Sequence, residues 1–322
     1  LLALTVTGAT IDIDGVVELN VSGQLAIASV TAAGSTTARY TALKMGDVSV
    51  TIVGAADLGI DIDGTVTIDR IDYNAVDSTI VGLKRLDWTM AFDLDADGTP
   101  DVLNPGSLLD GSPDLSIDMP ASLQLRVAGG ITGNGAAVGT GGNQQPQLLA
   151  FGPIAIGGSA AFALERSTVD VDTDGIGGPD LLGASLDLLA LTVTGATIDI
   201  DGVVELNVSG TLAIASVTPA AQSAARYTAF KMEDVSVTTV AVSGDFGLTG
   251  AISVSKFTYN SAALGFQRLD WTIAIDVDGD GTEDLLNPGA NWPTPIDRTI
   301  DIGSALEFLP SGTVTGPAQH PF

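Results

Sequence analysis

The chain contains no cysteine, a single histidine, few aromatics and few bases. Without cysteine there are no disulfide staples and no thiol chemistry, so the fold must be held by packing, backbone pairing or bound ions. The lone His320 offers no Ser-His-Asp or Cys-His constellation, and the sequence has neither an H-E-x-x-H pair nor a phosphate-cradling glycine loop. The chain is therefore read as something other than an enzyme. Twelve bases stand against 39 acids, a formal charge of −27, which makes nucleic acid and anionic membrane poor partners and divalent cations good ones. No apolar run approaches the roughly 20 residues of a membrane helix. Aromatics make up 5 % of a chain that is 45 % apolar, so its core must be built from Ala, Val, Ile and Leu, which suit thin, closely stacked β layers.

What the chain has in abundance is repetition. Residues 1–23, LLALTVTGATIDIDGVVELNVSG, recur without a change at 188–210. Aligned on the Ile-Asp-Ile strand, TIDIDGVVELNVSG at 10–23 matches SIDMPASLQLRVAG at 116–129, its own copy at 197–210, and TIDIGSALEFLPSG at 299–312. These starts divide the chain into a first unit at 1–115, a shorter and divergent unit at 116–196 with a Gly-rich loop at 129–147, a third unit at 197–298, and the terminal strand of an incomplete unit at 299–322. Duplication of this kind builds fibres, stalks and surface coats more often than active sites.

The local pattern is almost wholly β. Val17, Leu19, Val21, Leu25 and Ile27 fall on one parity while Glu18, Asn20, Ser22 and Gln24 take the other, which predicts a half-buried strand with one dry and one wet face. Such runs, joined by short Gly/Asp/Asn turns, predict an all-β chain: tandem antiparallel β units in an elongated sandwich or roll, with Asp-rich loops between units. The repeated Trp88 and Trp271, each in R-L-D-W-T, are expected as core anchors in preference to sugar platforms.

Of the 39 acids 33 are Asp, a turn and cation-ligand residue. Asp93, Asp95, Asp97, Gly98 and Asp101 form D-x-D-x-D-G-x-x-D, and Asp276, Asp278, Asp280, Gly281 and Asp284 repeat it. The middle unit has Asp170, Asp172, Asp174, Gly175 and Asp180, with two extra residues before the last acid. Carboxylates at i, i+2 and i+4 can wrap one hard cation where a glycine permits a sharp turn, and the final Asp closes the shell. Ca2+ is the expected ion. Shorter clusters at Asp12, Asp14 and Gly15, at Asp199, Asp201 and Gly202, and at Asp61, Asp63 and Gly64 read first as plain turns.

The D-x-D-x-D-G-x-x-D loops resemble the calcium motifs of bacterial extracellular surface repeat proteins, dockerins and thrombospondin type 3 repeats. Where an EF-hand carries a bidentate Glu, this chain has Asn104 and Asn287. The resemblance implies calcium-stabilised repeats outside the cell or on its surface. The expectation is a structural repeat protein that assembles into a filament, sheath or surface layer, self-associating head to tail through its terminal strands. A spacer segment of a large bacterial adhesin is the alternative, and a carbohydrate-binding module the second.

Overall fold

The computed structural model describes residues 1–13, 17–31, 38–55, 61–62, 64–78, 83–151, 154–200, 204–220, 225–242, 251–291 and 298–315. They form sixteen strands and a few short 3-10 turns. No helix among them is long and apolar enough to cross a membrane. In chain order the strands are β1 (Leu2–Ile13), β2 (Val17–Thr31), β3 (Ala38–Ala55), β4 (Asp61–Ile62), β5 (Gly64–Ser78), β6 (Leu123–Gly133), β7 (Ala137–Val138) and β8 (Gln145–Phe151). Then come β9 (Ile154–Gly157), β10 (Ser159–Val171), β11 (Leu181–Ile200), β12 (Val204–Thr218), β13 (Tyr227–Val242), β14 (Ala251–Ala262), β15 (Ile275–Asp276) and β16 (Phe308–Thr315).

The main path of the sheet is β1-β2-β3-β5-β6-β10-β11-β12-β13-β14-β16. Every ladder between described strands is antiparallel. The expected all-β, antiparallel architecture is present, and its units run together in one continuous sheet. Short connections account for the runs β1-β2-β3 and β11-β12-β13-β14, because an antiparallel neighbour needs only a tight turn whereas a parallel one needs a crossover.

The Gly-rich stretch at 129–147 is more ordered than a loop. Its first residues finish β6 and its last begin β8. Between them the chain leaves the sheet, makes β7 and a 3-10 turn at Gly141–Asn143, and returns as β8, which lies between β4 and β9 much as β6 lies between β5 and β10. Close backbone approach requires the glycines: a Cβ on Gly129 would sit 2.0 Å from the Thr67 carbonyl oxygen, and one on Gly133 2.3 Å from that of Pro146.

One face of the sheet carries a contiguous apolar cluster that includes Leu25, Met45, Ile71, Val127, Leu164, Leu191, Ile214 and Phe230. The opposite face was expected to be wet. It is dry over much of its area, because long loops after β5 and β14 fold back onto it. Trp88 packs there with Ala28, Ala42, Ile117 and Met119, and Trp271 with Ala215, Ala229, Ile300 and Ile302. Ala26 and Ala28 continue the parity of Ser22 and Gln24, yet both are fully buried. Alanine leaves room for a loop to lie close to the sheet, and the indole fills the remaining volume. Both tryptophans are 0 % exposed, so they are core anchors and present no face for stacking a sugar.

Polar pairs fix each loop to the sheet. Trp88 Nε1 donates to Asn74 Oδ1 at 2.9 Å, and Asn74 Nδ2 donates to the carbonyls of Leu86 and Pro120. In the second copy Trp271 donates to Asn260 at 3.0 Å, and Asn260 donates to Leu269 and Gly303. Lys44 pairs with Asp118 at 2.7 Å and Lys231 with Asp301 at 2.8 Å. A buried polar group without a partner is costly, so these bonds specify where the loop sits. The signal was in the sequence as Tyr73-Asn74 and Tyr259-Asn260, a dipeptide present in both copies.

Candidate metal centres

The Asp loops hang from these anchored layers. Five residues after Trp88 the chain reaches Asp93, and five after Trp271 it reaches Asp276. The middle loop instead follows directly from β10. In all three, two backbone-mediated links close the turn at the same relative positions. The amide of the closing Asp donates to the carbonyl just before the first Asp: Asp101 to Phe92, Asp180 to Val171 and Asp284 to Ile275. The amide just after the first Asp donates to the closing carboxylate: Leu94 to Asp101 at 2.6 Å, Thr173 to Asp180 at 2.9 Å and Val277 to Asp284 at 2.8 Å.

Inside the turns, amides also gather on the first carboxylate. Asp93 accepts from Asp97 and Gly98, Asp276 from Gly279 and Gly281, and Asp172 from Asp174 and Gly175. The turn requires a left-handed residue at two places. Gly98, Gly177 and Gly281 occupy the second, with φ of 87°, 90° and 88°, while Gly175 and Gly279 occupy the first and Ala96 takes it in loop one at φ 62°.

This geometry brings together Asp93, Asp95 and Asp101, then Asp172, Asp174 and Asp180, then Asp276, Asp278 and Asp284. Within each trio one carboxylate oxygen per residue lies within 4.8 Å of the other two. Calcium–oxygen distances of about 2.3–2.6 Å put opposed ligands at most about 5.2 Å apart, so a single ion can reach all three oxygens. The carboxylates keep further lone pairs beyond those used by the amides. The donor set is all oxygen, which suits a hard cation such as calcium, magnesium or manganese.

The other expected ligands lie elsewhere. Asp97 and Asp280 each turn one oxygen to the amide and hydroxyl of the threonine two residues on, Thr99 and Thr282. Those bonds hold both carboxyls below their usual pKa. Asp180 is lowered in the same way by the hydroxyl and amide of Thr173, so it stays ionised within its trio. Asp170 remains in β10, where it is the register partner of Asp276 on β15 and accepts from the Gly183 amide.

The middle loop therefore reads from Asp172, and its acids stand at 172, 174 and 180, the same spacing as 93, 95, 101 and 276, 278, 284. No residues are inserted before the last acid. The β10–β15 ladder, with the Asp172 backbone amide donating to the Ala274 carbonyl at 2.9 Å, docks the second and third loops together. Of the shorter clusters, Asp14, Gly15, Asp63, Asp201 and Gly202 lie outside the described residues, as does His320.

No protein-family model, curated protein or solved structure matches this chain.

Proposed function

We propose that this chain is a calcium-stabilised extracellular structural repeat protein, whose β-sheet supplies a stiff framework and whose Asp loops are locked by metal. The observation that carries the reading is the threefold recurrence of one loop geometry, with acids at the same spacing and the same closing bonds, in two near-copies and in a middle loop of divergent sequence. A turn alone needs no such trio, because three carboxylates this close repel one another unless a cation stands between them. Calcium is favoured over magnesium because exposed loops with irregular backbone donors tolerate its flexible coordination, whereas magnesium demands near-ideal octahedral geometry. Three divalent ions would offset six of the 27 net negative charges, so local ordering of the loops outweighs the change in net charge.

Binding to the folded state alone adds about 2.7 kcal/mol per site when the ion is at 100 times its Kd. Thermal melting in chelator, then in excess calcium, then in excess magnesium tests the reading. A rise in Tm with calcium that exceeds the rise with magnesium is expected. A Tm indifferent to calcium sinks the assignment.

A further inference from the structure

Among the described residues three acids are buried, and one of them has no base beside it. Asp72, 0 % exposed, takes Arg70 and Arg126, and Asp187, 3 % exposed, takes Arg166. Glu205, at the start of β12, is 4 % exposed and forms no ion pair with a described residue. Its Oε2 accepts from the Thr140 hydroxyl at 2.7 Å, while its Oε1, equally shut off from solvent, has no hydrogen-bond partner. A buried carboxylate is normally paired or bound to a metal, because desolvation costs more than one neutral hydrogen bond returns.

The neighbouring strand deepens the deficit. In the β11–β12 ladder Glu205 stands directly opposite Asp199, and like charges in register repel one another. The next pair along the same face is Thr197 opposite Asn207, where Thr197 donates to the Asn143 carbonyl at 2.6 Å. The connection between β7 and β8 therefore lies across this face, held by Thr140 and Asn143. At its closest point is Gly139, with φ 88°. A Cβ there would sit 2.6 Å from Thr197 Cγ2 and 3.1 Å from Glu205 Oε1, so glycine keeps open the space beside the unpartnered oxygen.

We propose that Asp199 and Glu205 hold a hard divalent cation, at a site separate from the Asp loops, which pins the β7–β8 connection to the β11–β12 hairpin. One such ion balances the two carboxylates in charge and suits their oxygen donors. Opposed residues of an antiparallel pair have Cβ atoms about 4.5–5.5 Å apart. An ion with oxygen distances of about 2.3–2.6 Å can take one ligand from each. The segment Asp199-x-Asp201-Gly202-x-x-Glu205 also repeats the spacing of Asp95-x-Asp97-Gly98-x-x-Asp101 and Asp278-x-Asp280-Gly281-x-x-Asp284, whose outer acids belong to the trios. The proposal rests on burial and charge at this hairpin and stands whether or not the Asp loops bind metal.

Equilibrium dialysis against calcium, on the full chain and on its Glu205→Gln and Asp199→Asn variants, counts the ions. The first copy sets Asp12 opposite Glu18, so the readout is the difference from wild type and not the total. Each variant should bind one calcium fewer. The same loss should appear in a background of Asp93→Asn, Asp172→Asn and Asp276→Asn, which separates this site from the loops. In chelator Glu205→Gln should melt no lower than wild type, because the amide removes an uncompensated charge and still accepts from Thr140; in excess calcium it should melt lower. Asp199 is only half-buried, so its variant decides the count if Glu205→Gln folds poorly. A calcium count unchanged in the folded variants overturns the proposal. So does a Glu205→Gln variant whose Tm difference from wild type is the same with and without calcium, the behaviour of a carboxyl satisfied by a proton or a water.

Discussion

Replacing Asn260 with alanine removes the side chain that ties the Trp271 loop to the sheet on three sides. Its carbonyl accepts from Trp271 Nε1, and its amide donates to the carbonyls of Leu269 and Gly303. Asn260 and Trp271 are both 0 % exposed, so the variant takes the partner of an indole N–H and of the Leu269 carbonyl in a site closed to water, while the Gly303 carbonyl keeps the Leu306 amide. Each unsatisfied group costs roughly 1–3 kcal/mol, and neighbours that relax together fall short of the simple sum. The expected loss is about 2–4 kcal/mol, read by urea denaturation followed by circular dichroism. Trp271→Phe strands only the Asn260 carbonyl, so the double variant should lose less than the two single losses added. The same loop carries Asp276, Asp278 and Asp284, and calorimetry of the Asn260 variant should show the third metal site weakened more than the first. A loss below about 1 kcal/mol would refute the reasoning, because it would mean that the loop can satisfy these groups without the clamp.

Further outcomes follow from the loops. Asp172→Asn should abolish metal binding by the middle loop while Asp170→Asn leaves its stoichiometry unchanged, as counted by calorimetric titration; the reverse would restore Asp170 as first ligand. Ala96→Gly should stabilise the first loop by about 0.5–1 kcal/mol, since a left-handed residue with a Cβ is strained by roughly 1–2 kcal/mol and glycine returns part of that as chain entropy; denaturation with metal absent checks it. Asp97 and Asp280 have pKa values depressed by the hydroxyl and amide of Thr99 and Thr282. A depressed folded value contributes stability that is present above the unfolded pKa and is lost as pH falls through the folded one, so these turns should persist to below the ordinary carboxylate range. Thr99→Val and Thr282→Val should raise both values in a carboxyl NMR titration, and unchanged values would remove the threonine hydroxyls as their cause.

Strand structure was legible in the chain because parity is a local property: Val17, Leu19 and Val21 alternate with Glu18, Asn20 and Ser22 whatever lies above them. The same reading failed at Ala26 and Ala28, both buried, Ala28 in one cluster with Trp88, sixty residues on. Alanine carries too little apolar signal to announce a cover.

The Asp loops were legible for the same local reason, since alternate carboxylates before a glycine describe a turn and a donor set together. Their register in the middle loop was not. Asp170, Asp172, Asp174 and Asp180 allow two choices of first ligand, and only the folded loop shows that the oxygens of Asp172, Asp174 and Asp180 gather within 4.8 Å of one another while Asp170 accepts from the Gly183 amide. The repeat is the sharpest case. Eight identical residues, 1–8 and 188–195, determine the same strand, the same bulge and the same serine contact in both copies, yet Leu191 is sealed and Leu4 is open. Backbone conformation follows from a residue and its near neighbours, but the dryness of a sheet edge depends on which strand arrives beside it, and β10 arrives beside only one of them.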